Sequence, residues 1–177
     1  MPTMNEKNLR DFLATGELPT AVAVIVPEKA DPMKWLLVNL CAVGMLAKDF
    51  HYRAKGKAFY ALHQIADIVY DATRLFDELN EVWYLGECGS VPPLMSGISA
   101  RAAKLAECGN CHKPLGGDEE DVILAALIDR CKVTAGCVEN CKSVAPKSGT
   151  NAVLDEISKR MLQAVGLLQR TEITPQA

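Results

Sequence analysis

The sequence has no excess of positive charge. Nineteen Lys and Arg stand against 22 Asp and Glu, a net charge of −3. Binding through nucleic-acid phosphates calls for a basic surface, so overall charge gives no ground for wholesale attraction to DNA or RNA, although a local basic patch stays open. Aromatic residues are few, at 6%, and histidine occurs three times, as His51, His63 and His112. Long apolar runs are missing. The most apolar segment, Trp35 to Ala47, is interrupted by Asn39 and falls short of the ~20 residues that span a bilayer. It reads as a buried core helix, and no membrane association is expected. Strand signal is scarce. The β-branched run Ala21 to Val26 lies between Pro19 and Pro27 and has no evident partner strand. The start, Met1 to Glu6, lacks a basic stretch followed by an apolar one, so a cytoplasmic location is expected. In that compartment the seven cysteines should be reduced thiols or metal ligands, not disulfides.

What is present is helical periodicity. Residues 1–31 read as an N-terminal arm, with a short helix over Asn8 to Leu13 and an extended piece packed on a neighbour. Asp31-Pro32 is a helix start, with Asp as N-cap and Pro in the first turn. The first long helix should run to about His51. Its apolar positions go nearly all the way round, as in a helix surrounded by protein. Gly56 breaks it. A second helix is expected from about Phe59 to Leu85, ended by Gly86, Gly89 and Pro92-Pro93. Met95 to Ala106 suggests a short crossover helix, and Cys108 to Gly117 a Gly- and Pro-containing loop. The third long helix should run from about Asp118 to Ser143, its acidic start suiting the positive end of the helix dipole. Pro146 and Gly149 punctuate, and a fourth runs from about Asn151 to Gln169 with Leu154, Ile157, Met161, Val165 and Leu168 at helical spacing. A short polar tail, 171–177, follows. The expected fold is all-α: four long helices over 32–170 with a crossover between the second and third, the bundle class that includes ferritin-like folds.

The chemistry-bearing residues cluster between the first two helices. His51 closes one helix and His63 lies a turn into the next. Asp67, four residues on, shares the face of His63. At 100° per residue, Asp71 and Glu78 fall within about 40° of Asp67, and Glu81 a similar angle to the other side. Imidazole with carboxylates suits iron, zinc or manganese. The plainer interpretation is a solvated face beside a structural histidine pair.

The run His51-x4-Gly56-x2-Phe59-x-Ala61-Leu62-His63-x3-Asp67 resembles the iron-oxidising segment of the Dps family, the DNA-binding proteins from starved cells, which are miniature ferritins. The spacing of the histidines, the Lys55-Gly56 loop, the Phe and the Leu-His pair all match. Helix order and length are similar over roughly 32–170, and the specific motifs lie within 51–81. The resemblance implies a homo-oligomeric shell of twelve subunits. Its iron site lies between two subunits, with two His and one carboxylate from one chain and two carboxylates from the other. It also implies oxidation of ferrous iron, usually by hydrogen peroxide or else by oxygen, storage as ferric mineral, and protection from oxidative damage. The ligand set so implied is His51, His63 and Asp67, completed by Glu78 and Glu81 of a second copy. Two departures stand out. Tyr52 replaces the family's usual Trp, and Val82 falls where the second distal acid belongs. Asp77 and Glu81 have the family's i, i+4 spacing one residue early.

Cys108-Gly-Asn-Cys111-His112 spells the haem c attachment string, but attachment needs export. Cys137 and Cys141 share a helix face. Together with Cys108 and Cys111 they could form a four-thiolate zinc or iron–sulfur site. A redox dithiol, or thiols with no joint role, stay open. Cys41 and Cys131 read as core residues. The arm sets Lys7, Arg10 and Lys29 against Glu6, Asp11, Glu17, Glu28 and Asp31, and the tail region offers Arg170 alone. DNA binding through basic tails is therefore expected to be weak. Two further functions compete with iron oxidation: a similar shell with impaired oxidation that binds metal through its cysteines, and a purely structural bundle.

Overall fold

The computed structural model describes residues 31–53, 59–107, 119–145 and 148–172. Every regular element among them is helical. The expectations for the arm, for the loop with Cys108, Cys111 and His112, and for the end of the tail fall outside these residues. In chain order the elements are α1 (Pro32–Arg53), α2 (Phe59–Ala72), α3 (Leu75–Leu79) with a π segment (Asn80–Glu87), α4 (Met95–Glu107), α5 (Glu119–Lys142) and α6 (Ser148–Glu172).

α1 starts as its sequence dictates. Asp31 Oδ1 accepts a hydrogen bond from the Met33 N–H at 3.0 Å, and the Asp31 carbonyl accepts one from the Trp35 N–H at 3.0 Å. The Pro32 ring occupies the first turn, where a missing N–H costs nothing. α1 packs on α2, α4 and α5, which explains its all-round apolar sequence. Leu36, Leu37, Leu40 and Phe50 have no exposed surface, and each such side chain contributes about 1.5–3 kcal/mol by leaving water. α6 packs on α5 and α2, closing the core with Leu154, Ile157, Met161 and Leu168. α4 lies against α1. Buried within this apolar core, Asn39 is satisfied twice: its Nδ2 donates to the Trp35 carbonyl at 2.9 Å, and its Oδ1 accepts from Arg130 Nη1 at 3.1 Å. No helix of the described residues is long and apolar enough to cross a membrane.

The second helix is not continuous from Phe59 to Leu85 as expected. It changes register twice. The Tyr70 carbonyl accepts from the Thr73 N–H at 3.0 Å and from the Thr73 hydroxyl at 2.6 Å. The Arg74 N–H turns instead to the Asp71 carbonyl at 3.1 Å, and Phe76 and Asp77 bond three residues back in the same tight manner. Hydroxyl back-bonding of this kind distorts helices. From Asn80 the helix loosens into π geometry. Asn80 Nδ2 donates to the Phe76 carbonyl at 3.0 Å, and the Cys88 N–H reaches five residues back to Trp83. α6 also begins earlier than expected, so Gly149 lies inside its first turn instead of before it. A Cβ at Gly149 would lie 3.1 Å from Glu87 Oε1, which is why a residue without one serves there.

Candidate metal centre

His51 lies in the last turn of α1, and His63 and Asp67 lie on successive turns of α2. The packing of α1 on α2 sets His51 against both His63 and Asp67. The imidazole rings of His51 and His63 have centroids 4.0 Å apart, tilted by 43°. His51 Nδ1 lies 3.0 Å from Asp67 Oδ1, close but without the alignment of a hydrogen bond. His51 is 23% exposed and Asp67 57%, so the carboxylate reaches the cluster from the solvent side. Tyr52 is set edge-on to His51, with ring centroids 5.2 Å apart, and is itself largely exposed, as is Tyr60.

The distal acids are placed differently. Glu78 on α3 and Glu81 in the first turn of the π segment are both exposed. At about 1.5 Å per residue, Glu78 lies roughly 16 Å along the axis from Asp67, so one ion cannot be held by both in a single chain. Among the described residues no three His, Cys, Asp or Glu side chains form a group able to hold a metal ion. The phase extrapolated at 100° per residue stops being valid beyond Ala72. Tight turns advance each residue by about 120°, and the π segment then advances each by less than an α-helix does. Asp77 lines a groove between α1 and α4 whose walls include neither Asp67 nor His51. Val82 is half-buried, packed against the core.

The cysteines divide by burial. Cys131, Cys137 and Cys141 are in the core, and Cys88 is exposed. Burial pushes the thiol of Cys131 up to about 12, that of Cys137 to about 11 and that of Cys141 to about 12. All three are protonated at neutral pH, and Cys141 Sγ donates to the Pro32 carbonyl at 3.3 Å. That bond suits a core thiol, and a thiolate ligand would first have to give up this proton. Cys41 is half-buried beside Ser99, and burial raises its thiol as well.

Two contacts made by the π segment were not expected from the sequence. Tyr84 Oη donates to Asp31 Oδ2 at 3.0 Å, and the Thr150 N–H donates to Glu87 Oε1 at 3.0 Å. The π segment therefore ties the starts of α1 and α6 to one another. Burial, then the Asp31 carboxylate, holds the Tyr84 phenol well above its ordinary range. Gly149 was the available signal, because a glycine in a first helical turn invites a close approach. No protein-family model matches the chain, and no curated protein matches its sequence.

Proposed function

We propose that the chain is a subunit of a miniature ferritin of the Dps type. It would be a ferritin-like four-helix bundle of α1, α2 with α3, α5 and α6, with α4 as crossover helix, working in the cytoplasm as a twelve-subunit shell. The observation that carries this reading is the meeting of His51, His63 and Asp67, the residues on which the family resemblance rests, at the junction of α1 and α2. The packing order of the helices supports the bundle.

Ferrous iron is the substrate. Two imidazoles and one carboxylate are donors suited to it, and the anionic Asp67 offsets the charge that grows on oxidation. Glu78 and Glu81 of a second copy complete the set, since about 16 Å and about 21 Å of helix rise separate them from Asp67 within one chain. Two Fe(II) ions each give one electron to hydrogen peroxide, whose O–O bond breaks. With two further waters the products are two FeOOH units and four protons. Peroxide is consumed without release of hydroxyl radical, and the ferric product is stored.

The test is an anaerobic Fe(II) titration followed by peroxide. Saturation at about two Fe(II) per site and fast oxidation, both lost in His51→Ala and His63→Ala, are expected. Absence of saturable Fe(II) binding refutes the reading. A second reading draws on Val82, an apolar residue packed against the core at the position where the resemblance calls for an acid. It is a shell that binds metal but oxidises it poorly, and saturable binding without fast oxidation selects it.

A further inference from the structure

We propose that the groove between α2 and α6 binds a medium-chain alkyl carboxylate, its head paired with Arg170 and its chain laid along Ile68, Ala72, Gly166 and Leu167. The groove forms where α6 packs on α2. It has a volume of about 390 Å³, within the range of about 300–1,000 Å³ usual for small-molecule sites. Gly166 opens its floor, since a Cβ there would meet no atom within 4 Å. Ile68 is 52% exposed and Leu167 half-buried, so apolar surface is left in water along the hollow.

The charges select the head. Arg160, Gln163 and Arg170 line the groove, and among the described residues no carboxylate does, in a chain whose net charge is −3. Arg160 is already paired, its Nε donating to Glu156 Oε1 at 2.7 Å. Arg170 has no hydrogen bond or ion pair among the described residues. One uncommitted guanidinium matches one negative charge, and its flat fork of N–H donors fits a carboxylate through two parallel hydrogen bonds. The acids that flank Ile68 in sequence, Asp67 and Asp71, are not on the walls. Asp67 lies 3.0 Å from His51, and Asp71 lies 3.2 Å from Arg74.

The length selects the chain. Arg160 and Arg170 are separated by roughly 15 Å of helix rise along α6. A compact inorganic ion at one end would leave the apolar stretch between them in water. An alkyl chain covers that stretch, and the methylene stem of Arg160 continues the apolar surface at the far end. The proposal rests on this groove and not on the iron reading.

The test is equilibrium dialysis of the full-length, iron-free chain against labelled decanoate below its micelle-forming concentration, with decanol and acetate as competitors. Saturation at one decanoate per chain is expected. Acetate keeps the head and decanol keeps the chain, and each should compete at least tenfold more weakly than unlabelled decanoate. Arg170→Ala should weaken binding at least tenfold. Gly166→Leu should fill the floor and abolish binding while the helical circular dichroism and urea midpoint are held, because the added side chain enters open space. Arg101→Ala, at an exposed arginine on α4, should bind as the wild type does. Absence of saturable binding overturns the proposal, as does decanol or acetate competing as well as decanoate. Equal weakening by Arg101→Ala and Arg170→Ala, or wild-type binding by Gly166→Leu, overturns it too. None of these results alters the Fe(II) titration, so the two proposals fail separately.

Discussion

Replacing Asn39 by Leu tests how a buried amide can hold α1 to α5. Asn39 has no exposed surface; it donates to the Trp35 carbonyl and accepts from the Arg130 guanidinium. Leucine has nearly the same volume and gains about 1 kcal/mol from its added apolar surface. Against that, Arg130 keeps a charged donor in a largely covered position with its acceptor removed, a cost of about 3 kcal/mol. The net expectation is a destabilisation of about 2 kcal/mol. With a slope of ~2 kcal/mol/M, the urea midpoint falls by about 1 M at constant slope, and Tm falls by about 6 °C. The diagnostic step is the double-mutant cycle. Arg130→Met alone leaves the Asn39 oxygen buried and unpaired, costing about 1–2 kcal/mol. In Asn39→Leu/Arg130→Met both polar ends are gone, so most of the loss should return, with a coupling of about 1–2 kcal/mol. An Asn39→Leu midpoint within 0.5 kcal/mol of wild type, or strict additivity in the cycle, refutes the reasoning.

Two glycines in α6 should respond with opposite sign. A Cβ at Gly166 meets nothing within 4 Å, so Gly166→Ala should stabilise the protein by about 0.5–1 kcal/mol through helix propensity alone. A Cβ at Gly149 lies 3.1 Å from the Glu87 carboxylate oxygen that accepts from the Thr150 N–H. Gly149→Ala should displace that carboxylate and lose about 0.5 kcal/mol net, the capping loss exceeding the propensity gain; equal urea midpoints for the two variants would count against this account. The core thiols predict loss of stability in alkali. Cys131 and Cys141 lose their protons near 12 when folded and near 8.5 when unfolded. Their stabilisation is complete below the unfolded value and is lost as pH rises towards the folded one. Between pH 9 and 11 each should lower stability by up to about 1.4 kcal/mol per pH unit. Cys131→Ala should flatten the measured slope, and a stability independent of pH over that range would exclude the effect.

The helices were legible because their signals are local. The Asp31-Pro32 start, the apolar period of α1 and the heptad-like spacing of α6 each act within a few residues. The interruptions of the long central helix are not legible in the same way. A pattern of apolar positions tolerates a change of register, and nothing in the order of residues says that the Thr73 hydroxyl will take the Tyr70 carbonyl. Once it does, every angle projected from Asp67 to the distal acids shifts, so Glu78, Glu81 and Asp77 could be named from sequence but not aimed.

The sequence by itself determined the all-helical class and the identity of His51, His63 and Asp67 as one cluster, because two helices joined by a short link must bring their facing ends together. Only tertiary structure decided the rest. Burial, a property of neighbours distant in sequence, made Cys137 and Cys141 protonated core thiols. The approach of Glu87 to Gly149 pinned the start of α6. The packing of α4 on α1 buries Ile98 and Ala102, while Val91, Leu94 and Met95 at its start stay exposed. These depend on which surfaces meet, and chain order does not carry that information.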